Sequence, residues 1–199
     1  MISDMRAFIA IELAAEVKTE LARVQMLLRR DTACPAKWVA PENIHLTLCF
    51  LGNLTKAQVG AVKGAMDDTG KHFAPLQLTT SLPGAFPSAE RPQTVWVGLE
   101  GDHGVMSRLH RYVEESLHVV GYRPDARPFR PHLTIARVHN DATQAVRLEL
   151  GAAIQRLKIP SLRIDVSGLS LMKSVLNPAG AIYSCLCRVE LTGMTTPRA

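Results

Sequence analysis

The chain lacks the sequence features of metal centres and of ATP-dependent chemistry. No histidine spacing completes a zinc site, and no C-x-x-C pair occurs among its cysteines, Cys34, Cys49, Cys185 and Cys187. Gly70-Lys71 is followed by His72, so the chain has no G-x-x-x-x-G-K-[ST] loop to hold the phosphates of ATP. We therefore expect no metal, no cofactor and no ATP-driven step.

Long apolar runs are also missing, since none approaches the ~20 residues that span a bilayer. Asp4 and Glu12 frame a short apolar run near the first residue, a pattern unlike that of a secretory signal. Cysteines without a pairing framework fit a reducing environment. We expect a cytoplasmic monomer without a membrane segment.

What the chain does contain is an ordinary globular composition with a mild basic excess. Of its 199 residues, 47% are hydrophobic and 21% are charged, as in most soluble domains. Lysine and arginine total 23 against 18 aspartates and glutamates, which gives a formal charge of +5. Such an excess favours anionic partners such as RNA or nucleotides.

Strand-like and helix-like segments alternate, and the same order occurs twice. In the first half we predict strands over 7–13, 44–51 and 76–82, helices over 16–30 and 55–69, and loops over 32–41 and 83–92. In the second half we predict strands over 94–99, 132–138 and 162–172, helices over 103–120 and 142–157, and a loop over 122–131. Thr55 and Asp141 are the predicted helix caps, and one further strand covers 181–191.

This repeated order predicts an internal duplication. Equivalent positions recur at an offset of 86 or 87 residues, as in the pairs Ile9 and Trp96, His45 and His132, and Leu76 and Leu162. We expect a single domain over residues 1–199 built from two interlocking lobes, with approximate repeats 6–92 and 93–191. The predicted fold class is α+β: antiparallel sheets flanked by helices, related by a pseudo-two-fold axis about a central cleft.

One tetrapeptide recurs at equivalent positions of the duplication, as His45-Leu46-Thr47-Leu48 and His132-Leu133-Thr134-Ile135. With 7 His, 24 Leu and 13 Thr in the chain, chance predicts roughly 0.06 His-Leu-Thr triplets, whereas two are present. Side chains alternate on a strand, so the histidine and threonine of each copy share one face. The apolar face can then anchor in a core while the polar face lines the cleft.

Two facing histidines suit the cleavage of a phosphodiester. A neutral histidine takes a proton from the attacking water and a protonated one gives a proton to the departing oxygen, which an unperturbed pKa of about 6.5 permits near neutral pH. A threonine two residues later can hold non-bridging phosphate oxygens. A single such histidine or threonine would be structural or merely exposed; the duplicated pair favours catalysis.

Other side chains are candidates for binding phosphate or a base. Arg130 shares the face of His132 if the strand begins early, where it can pair with a phosphate in bidentate fashion. Strand parity puts Arg137 on the opposite face unless a bulge intervenes. Phe50 and Trp38 are candidates for stacking on an RNA base. Parity favours core packing for Phe50, whereas Trp38 fits either role.

These residues resemble the 2H phosphoesterases, and within them the bacterial and archaeal RNA 2′,3′-cyclic phosphodiesterases, long called 2′-5′ RNA ligases. The resemblance covers about residues 5–191. It includes the segments 6–11 (RAFIAI), 38–52 (WVAPENIHLTLCFLG), 129–137 (FRPHLTIAR), Ser174 and 180–183 (GAIY). The doubled H-x-T-x motif, in which x is apolar, defines the family, and both copies are intact.

The resemblance implies a bilobal α+β fold and metal-independent opening of a 2′,3′-cyclic phosphate to a 2′-phosphomonoester. A slow, ATP-independent joining of RNA ends is the implied reverse reaction. By the family pattern, His45 donates a proton to the 3′ oxygen and His132 is the base that activates water. Thr47 and Thr134 bind phosphate oxygens, and Arg130 is a further candidate for that role.

Two other functions remain open from the sequence. The same histidines would serve hydrolysis of a small cyclic nucleotide or of an ADP-ribose cyclic phosphate. A catalytically idle RNA-binding module is a third possibility, although phosphate binding alone favours Arg and Lys over two imidazoles. Cys49 departs from the family, where a basic or polar residue is expected; parity puts it on the cleft side, where it would alter substrate preference.

Overall fold

The computed structural model describes residues 5–124, 126–177 and 180–194. Within these ranges the strands are β1 (Met5–Glu12), β2 (Ala36–Trp38), β3 (His45–Leu54), β4 (Leu76–Phe86), β5 (Thr94–Gly101), β6 (His132–Val138), β7 (Arg163–Val166), β8 (Gly168–Asn177) and β9 (Gly180–Glu190). The α-helices are α1 (Ala15–Asp31), α2 (Lys56–His72), α3 (His103–Ser116) and α4 (Gln144–Arg156). Two 3₁₀ turns cover Pro41–Asn43 and Leu117–Val120.

All strand pairs are antiparallel, and they join into one sheet in the order β7-β4-β5-β6-β3-β1-β8-β9, with β2 paired to β6. The two strands that carry the repeated tetrapeptide, β3 and β6, are neighbours at its centre. β4 lies beside β5 of the second half, and β8 lies beside β1 of the first half. The predicted α+β class with antiparallel pairing is confirmed. Two sheets were expected, but the pairing of β3 with β6 joins them into one. The duplication itself stays a prediction.

The helices pack on the apolar side of the sheet. On α1, four apolar residues at helical spacing are buried: Val17, Leu21, Val24 and Leu28. The leucines that follow the two histidines, Leu46 and Leu133, are buried in the same core. Gln25 of α1 donates its amide hydrogens to the carbonyl oxygens of Val39 and Ile135 at 2.7 and 2.8 Å. This buried amide ties α1 to β6, so the helix helps to hold the second histidine strand in place.

The structure confirms the predicted helix ends that depend on neighbouring side chains. Thr55 and Gln58 form a capping box at the start of α2, with the Gln58 N–H donating to Thr55 Oγ1 at 3.3 Å. The helix after His103 tightens into a 3₁₀ turn over Leu117–Val120 and ends at Gly121, whose φ of 77° is left-handed. The predicted cap at Asp141 is wrong, because α4 begins at Gln144 after an extended Thr143.

Two loop predictions and one strand prediction are wrong because pairing with another strand overrides local propensity. The loop predicted over 32–41 contains β2, which pairs with β6. The loop predicted over 83–92 starts later, since β4 continues to Phe86 opposite Thr94. The strand predicted over 162–172 is two strands that break at Ser167, because β7 pairs with β4 and β8 pairs with β1 and β9.

None of the helices formed by the described residues has the length and apolar character needed to cross a membrane.

Candidate active site

β3 and β6 bring the two tetrapeptides together. Their paired position joins the leucine of one tetrapeptide to the leucine of the other, and both leucines point into the core. Extending this antiparallel register by one residue each way puts His45 opposite Thr134 and Thr47 opposite His132, all on the other face. In a regular antiparallel pair, this register makes the two histidines diagonal neighbours. Both imidazoles therefore lie on the face of the sheet opposite the two buried leucines.

Both histidines are held in the same way by the backbone. Nδ1 of His45 lies 2.7 Å from the carbonyl oxygen of Asn43, and Nδ1 of His132 lies 2.7 Å from that of Arg130. In each case the carbonyl belongs to the residue two positions earlier. A carbonyl oxygen only accepts hydrogen bonds, so each Nδ1 carries the hydrogen. Each Nε2 is thereby left to exchange a proton with a bound molecule, as acid–base chemistry requires.

Aromatic rings pack against each imidazole. His45 stacks on Phe8 at a centroid distance of 4.8 Å and meets Tyr183 edge-on at 5.4 Å. His132 meets Phe86 edge-on at 5.1 Å and Trp96 at 6.3 Å. These contacts fix the ring planes and restrict the water around them.

This packing lowers the pKa of both histidines. For His45, burial is the main cause, Lys18 lowers the pKa further, and Glu12 raises it. For His132, burial is again the main cause and Arg137 lowers the pKa further. The hydrogen bond from each ring to its backbone carbonyl works in the opposite direction. Burial therefore favours the neutral form of both rings in the free protein.

A β-bulge in β3 changes which side chains face the cleft. The register with β1 shifts between Ile9 and Ala10, and Leu48 and Cys49 are buried in succession. Alternation resumes after the bulge, so Phe50 is 63% exposed and lies 6.1 Å from the ring of Phe8, which stacks on the histidine. Core packing of Phe50, the role that simple parity favours, is therefore wrong.

A bulge at the matching place in β6 exposes Arg137. The register with β5 shifts where Ile135 and Ala136 are buried in succession. Arg137 is consequently exposed on the face of His132, as Phe50 is relative to His45, and its guanidinium donates to Thr94 Oγ1 at 3.3 Å. The sequence pattern disfavoured Arg137 unless a bulge intervened, and the bulge is present.

The same bulge in β3 turns Cys49 away from the cleft, contrary to the parity prediction. Cys49 is buried, and its Sγ lies with His110 and Glu114 of α3 in a group whose potential ligand atoms are all within 4.8 Å of one another. Burial raises the pKa of the Cys49 thiol to about 12. The Tyr122 hydroxyl donates to Glu114 at 3.3 Å. Among the described residues, Cys49, His110 and Glu114 form a group that could hold a metal ion. This group lies on the core side of β3 and not beside His45.

The remaining predicted residues are divided between cleft and core. Thr47 and Thr134 are half-buried on the histidine face. Arg130 is exposed, but β6 begins at His132 and so does not extend to it. What Arg130 gives to the site is its backbone carbonyl oxygen, which accepts the hydrogen bond from His132. Trp38 is half-buried against the core, with the Arg29 guanidinium 5.0 Å above its ring, and not against either histidine.

A cavity of about 270 Å³ opens beside His45. It is lined by side chains from β1, α1, the 3₁₀ turn before β3 and the β8–β9 pair: Ala10, Glu12, Lys18, Glu42, Asn43, Ile44, His45, Met172, Tyr183 and Cys185. The sequence pattern does not indicate this cavity or the role of Tyr183, because its walls are more than 100 residues apart in the chain. The cavity therefore provides a concave site directly beside His45.

Two neutral imidazoles with available Nε2 atoms, hydroxyls beside them and a guanidinium on the same face are the groups of a phosphoesterase. Comparison with known proteins agrees. The family described as LigT-like phosphoesterase matches residues 11–96 and 101–183, and the chain belongs to this family of 2H phosphoesterases, as the sequence resemblance predicted.

Individual relatives cover almost the whole chain. The RNA 2′,3′-cyclic phosphodiesterase of Methanothermobacter thermautotrophicus is 32% identical over 180 residues, which are 90% of this chain and 95% of that protein. The enzyme of the same name from Aeropyrum pernix is 31% identical over 80% of this chain and 88% of its own. The crystal structure of a Thermus thermophilus protein matches with a TM-score of 0.77 and 26% identity over 96% of this chain and 100% of that one. E. coli LigT with 3′-AMP matches with a TM-score of 0.74 over 95% and 99%, at 24% identity, and shares the fold.

Proposed function

We propose that this protein hydrolyses the 2′,3′-cyclic phosphate at the end of an RNA to a 2′-phosphomonoester, without a metal ion. The observation that carries the proposal is the identical anchoring of His45 and His132, each through Nδ1 to a carbonyl oxygen at 2.7 Å on neighbouring strands. Relatives at 32% and 31% identity that carry the name RNA 2′,3′-cyclic phosphodiesterase support the substrate.

In the proposed reaction, water attacks phosphorus and the bond to the ribose 3′ oxygen breaks. His132 Nε2 takes the proton of the water as the new P–O bond forms. His45, protonated at Nε2, gives its proton to the departing 3′ oxygen. Burial lowers the pKa of His45, which opposes this role, but a bound phosphate anion favours the imidazolium. Glu12, which raises the same pKa, acts in the same direction.

The cleft side chains would hold the phosphate. Thr47 and Thr134 offer hydroxyl hydrogens to the non-bridging oxygens. Arg137, exposed on the histidine face, offers a guanidinium that suits two phosphate oxygens. Arg130, two residues before the start of β6, is a second guanidinium that could reach the phosphate. Together they would stabilise the charge that develops on phosphorus in the transition state.

The setting of the reaction is part of the proposal. All four cysteines are free thiols, which fits a reducing, cytoplasmic compartment. The protein would act as a monomer, since both histidines come from one chain. Joining of RNA ends would use the same site: an RNA 5′-hydroxyl, in place of water, would attack the cyclic phosphate, and breakage of the bond to the 3′ oxygen would leave a 2′-5′ linkage.

A second candidate substrate is a small cyclic nucleotide or an ADP-ribose cyclic phosphate. The cavity of about 270 Å³ beside His45 favours it, because that volume suits a single nucleoside rather than several.

The test is hydrolysis of a short RNA ending in a 2′,3′-cyclic phosphate, with excess EDTA and identification of the product. We expect the 2′-phosphate, with the rate unchanged by EDTA. His45→Ala and His132→Ala should each reduce turnover by about 10²–10⁴. Loss of turnover with EDTA would contradict the metal-free mechanism and direct attention to Cys49, His110 and Glu114. Binding of the RNA without turnover would leave only an RNA-binding module.

A further inference from the structure

The cavity beside His45 lies where the terminal nucleoside must sit. The proposed proton donor, His45, delivers its proton to the 3′ oxygen of that nucleoside's ribose. The ribose and its base therefore extend to the His45 side of the phosphate, and water approaches from the His132 side. The concave space on the His45 side is the cavity of about 270 Å³.

Two acidic residues, Glu12 and Glu42, line this cavity although the proposed substrate is an anion. One lysine, Lys18, also lines it, and its ammonium donates to the backbone carbonyl oxygen of Glu42 at 2.9 Å. A carboxylate close to a bound phosphate costs free energy through repulsion. A hydrogen-bond donor on the substrate would offset that repulsion.

Glu12 is held in a fixed position. It is the last residue of β1 and pairs with His45 in the register of β1 with β3. Ser170, whose exposed fraction is 0%, donates its hydroxyl hydrogen to Glu12 Oε1. The Arg188 guanidinium lies 4.0 Å from the same oxygen. A carboxylate has about four acceptor positions, so Glu12 retains the capacity to accept from a bound molecule.

The donors that Glu12 could meet are on the base. In the terminal nucleotide of an RNA with a cyclic phosphate, the 2′ and 3′ oxygens are in the ring and the 5′ oxygen is in the chain, so the ribose has no free hydroxyl. Guanine presents two adjacent donors, N1–H and the 2-amino group, which match the two oxygens of a carboxylate. Adenine and cytosine present an amino group beside a ring-nitrogen acceptor, and uracil presents one N–H between two carbonyl oxygens that repel a carboxylate.

We propose, on the basis of the proposed function, that this cavity is a nucleobase subsite in which Glu12 reads the donor edge of a terminal guanine. Tyr183 and Met172 form walls of the same cavity. An aromatic ring and a polarizable thioether suit the faces of a base. The enzyme is then selective for RNA ends that terminate in guanosine 2′,3′-cyclic phosphate.

The experiment compares kcat/KM for RNAs of one sequence that end in A, C, G, U or inosine 2′,3′-cyclic phosphate. We expect G to exceed U by at least about tenfold. Inosine, which keeps N1–H and lacks the 2-amino group, should fall between them. Glu12→Gln should bring G and U within about twofold of one another, whereas Glu100→Gln, a strand carboxylate outside the cavity, should keep the preference.

Glu12→Asp separates base reading from the effect of Glu12 on His45. It keeps the negative charge but shortens the side chain, so the G preference should fall as far as in Glu12→Gln, while the pH dependence of turnover should change less than in Glu12→Gln. Hydrolysis of all five ends at similar rates would overturn the subsite and leave the proposed function standing. No hydrolysis of any end would overturn the proposed function itself. Preference for ADP-ribose 1″,2″-cyclic phosphate over the G end, abolished by Glu12→Gln, would mean that Glu12 binds a sugar hydroxyl and would overturn base reading.

Discussion

Replacing Arg137 by glutamine tests whether β6 contains the bulge, because a bulged and a regular strand predict different effects of the substitution. With regular alternation Arg137 would point into the core, and its loss would disturb folding rather than catalysis. In the bulged strand it is exposed on the face of His132, and its described hydrogen bond is to Thr94 at 3.3 Å. An exposed side chain of this kind changes the free energy of unfolding by less than about 0.5 kcal/mol. Loss of a donor that stabilises charge in the transition state lowers kcat by about 10²–10³, or about 2.7–4 kcal/mol.

The assay is kcat on an RNA cyclic phosphate, beside urea unfolding of the same variant. We expect Arg137→Gln to unfold like the parent protein and to lose activity, with a smaller loss for Arg130→Gln, whose side chain precedes the strand. Arg137 lowers the pKa of His132, so its removal should also move the acidic limb of the pH–rate profile to higher pH. Activity within twofold of the parent, with that limb unmoved, would refute the placement of Arg137 at the phosphate.

Three further results are expected. Burial lowers the pKa of His45 and His132 in the folded state, so the unfolded chain binds protons first as the pH falls. The free energy of unfolding should therefore be highest above about pH 6.5 and decrease below it. Equal urea midpoints at pH 7.5 and pH 5.5 would contradict this expectation. Leu46→Ala should lower the free energy of unfolding by about 2–5 kcal/mol, measured by urea titration, because Leu46 is buried under the β3–β6 pair; a loss below about 1 kcal/mol would mean that the junction is loosely packed. Cys49→Ser should keep kcat within a few-fold in EDTA, since Cys49 lies on the core side of β3, and a large loss would bring its cluster into the mechanism.

The sequence predicts most of the elements that local chemistry determines. The capping box at Thr55 and the apolar spacing on α1 depend on neighbours within a few residues, so both are readable from a single chain. β2 and the break at Ser167 depend on partners far along the sequence, and no local pattern indicates them.

The same distinction holds in the site. His45 and His132 are predicted because their tetrapeptides are repeated, which compensates for the weakness of one short motif. Phe50 and Arg137 are misjudged because two register shifts, visible only in the pairing of β1 with β3 and of β5 with β6, reverse the alternation. Each bulge follows its histidine at the same distance, so the error in one strand repeats in the other.

The equivalence of the two histidines bears on how the roles of acid and base are assigned. Both rings are anchored through Nδ1 to a carbonyl oxygen at 2.7 Å, and burial lowers the pKa of both, so neither is an acid or a base by its own surroundings alone. The surroundings of the two rings differ: a cavity lined by Glu12 adjoins His45, whereas Arg137 is exposed further along the strand of His132 and lowers the pKa of that ring. In the proposed mechanism the nucleoside enters the cavity, which puts the leaving oxygen next to His45 and leaves water to His132. In the reverse of hydrolysis, the ribose 3′-hydroxyl in the cavity attacks the 2′-phosphate, and water departs on the His132 side. His45 becomes the base and His132 the acid, and the roles follow the position of the nucleoside.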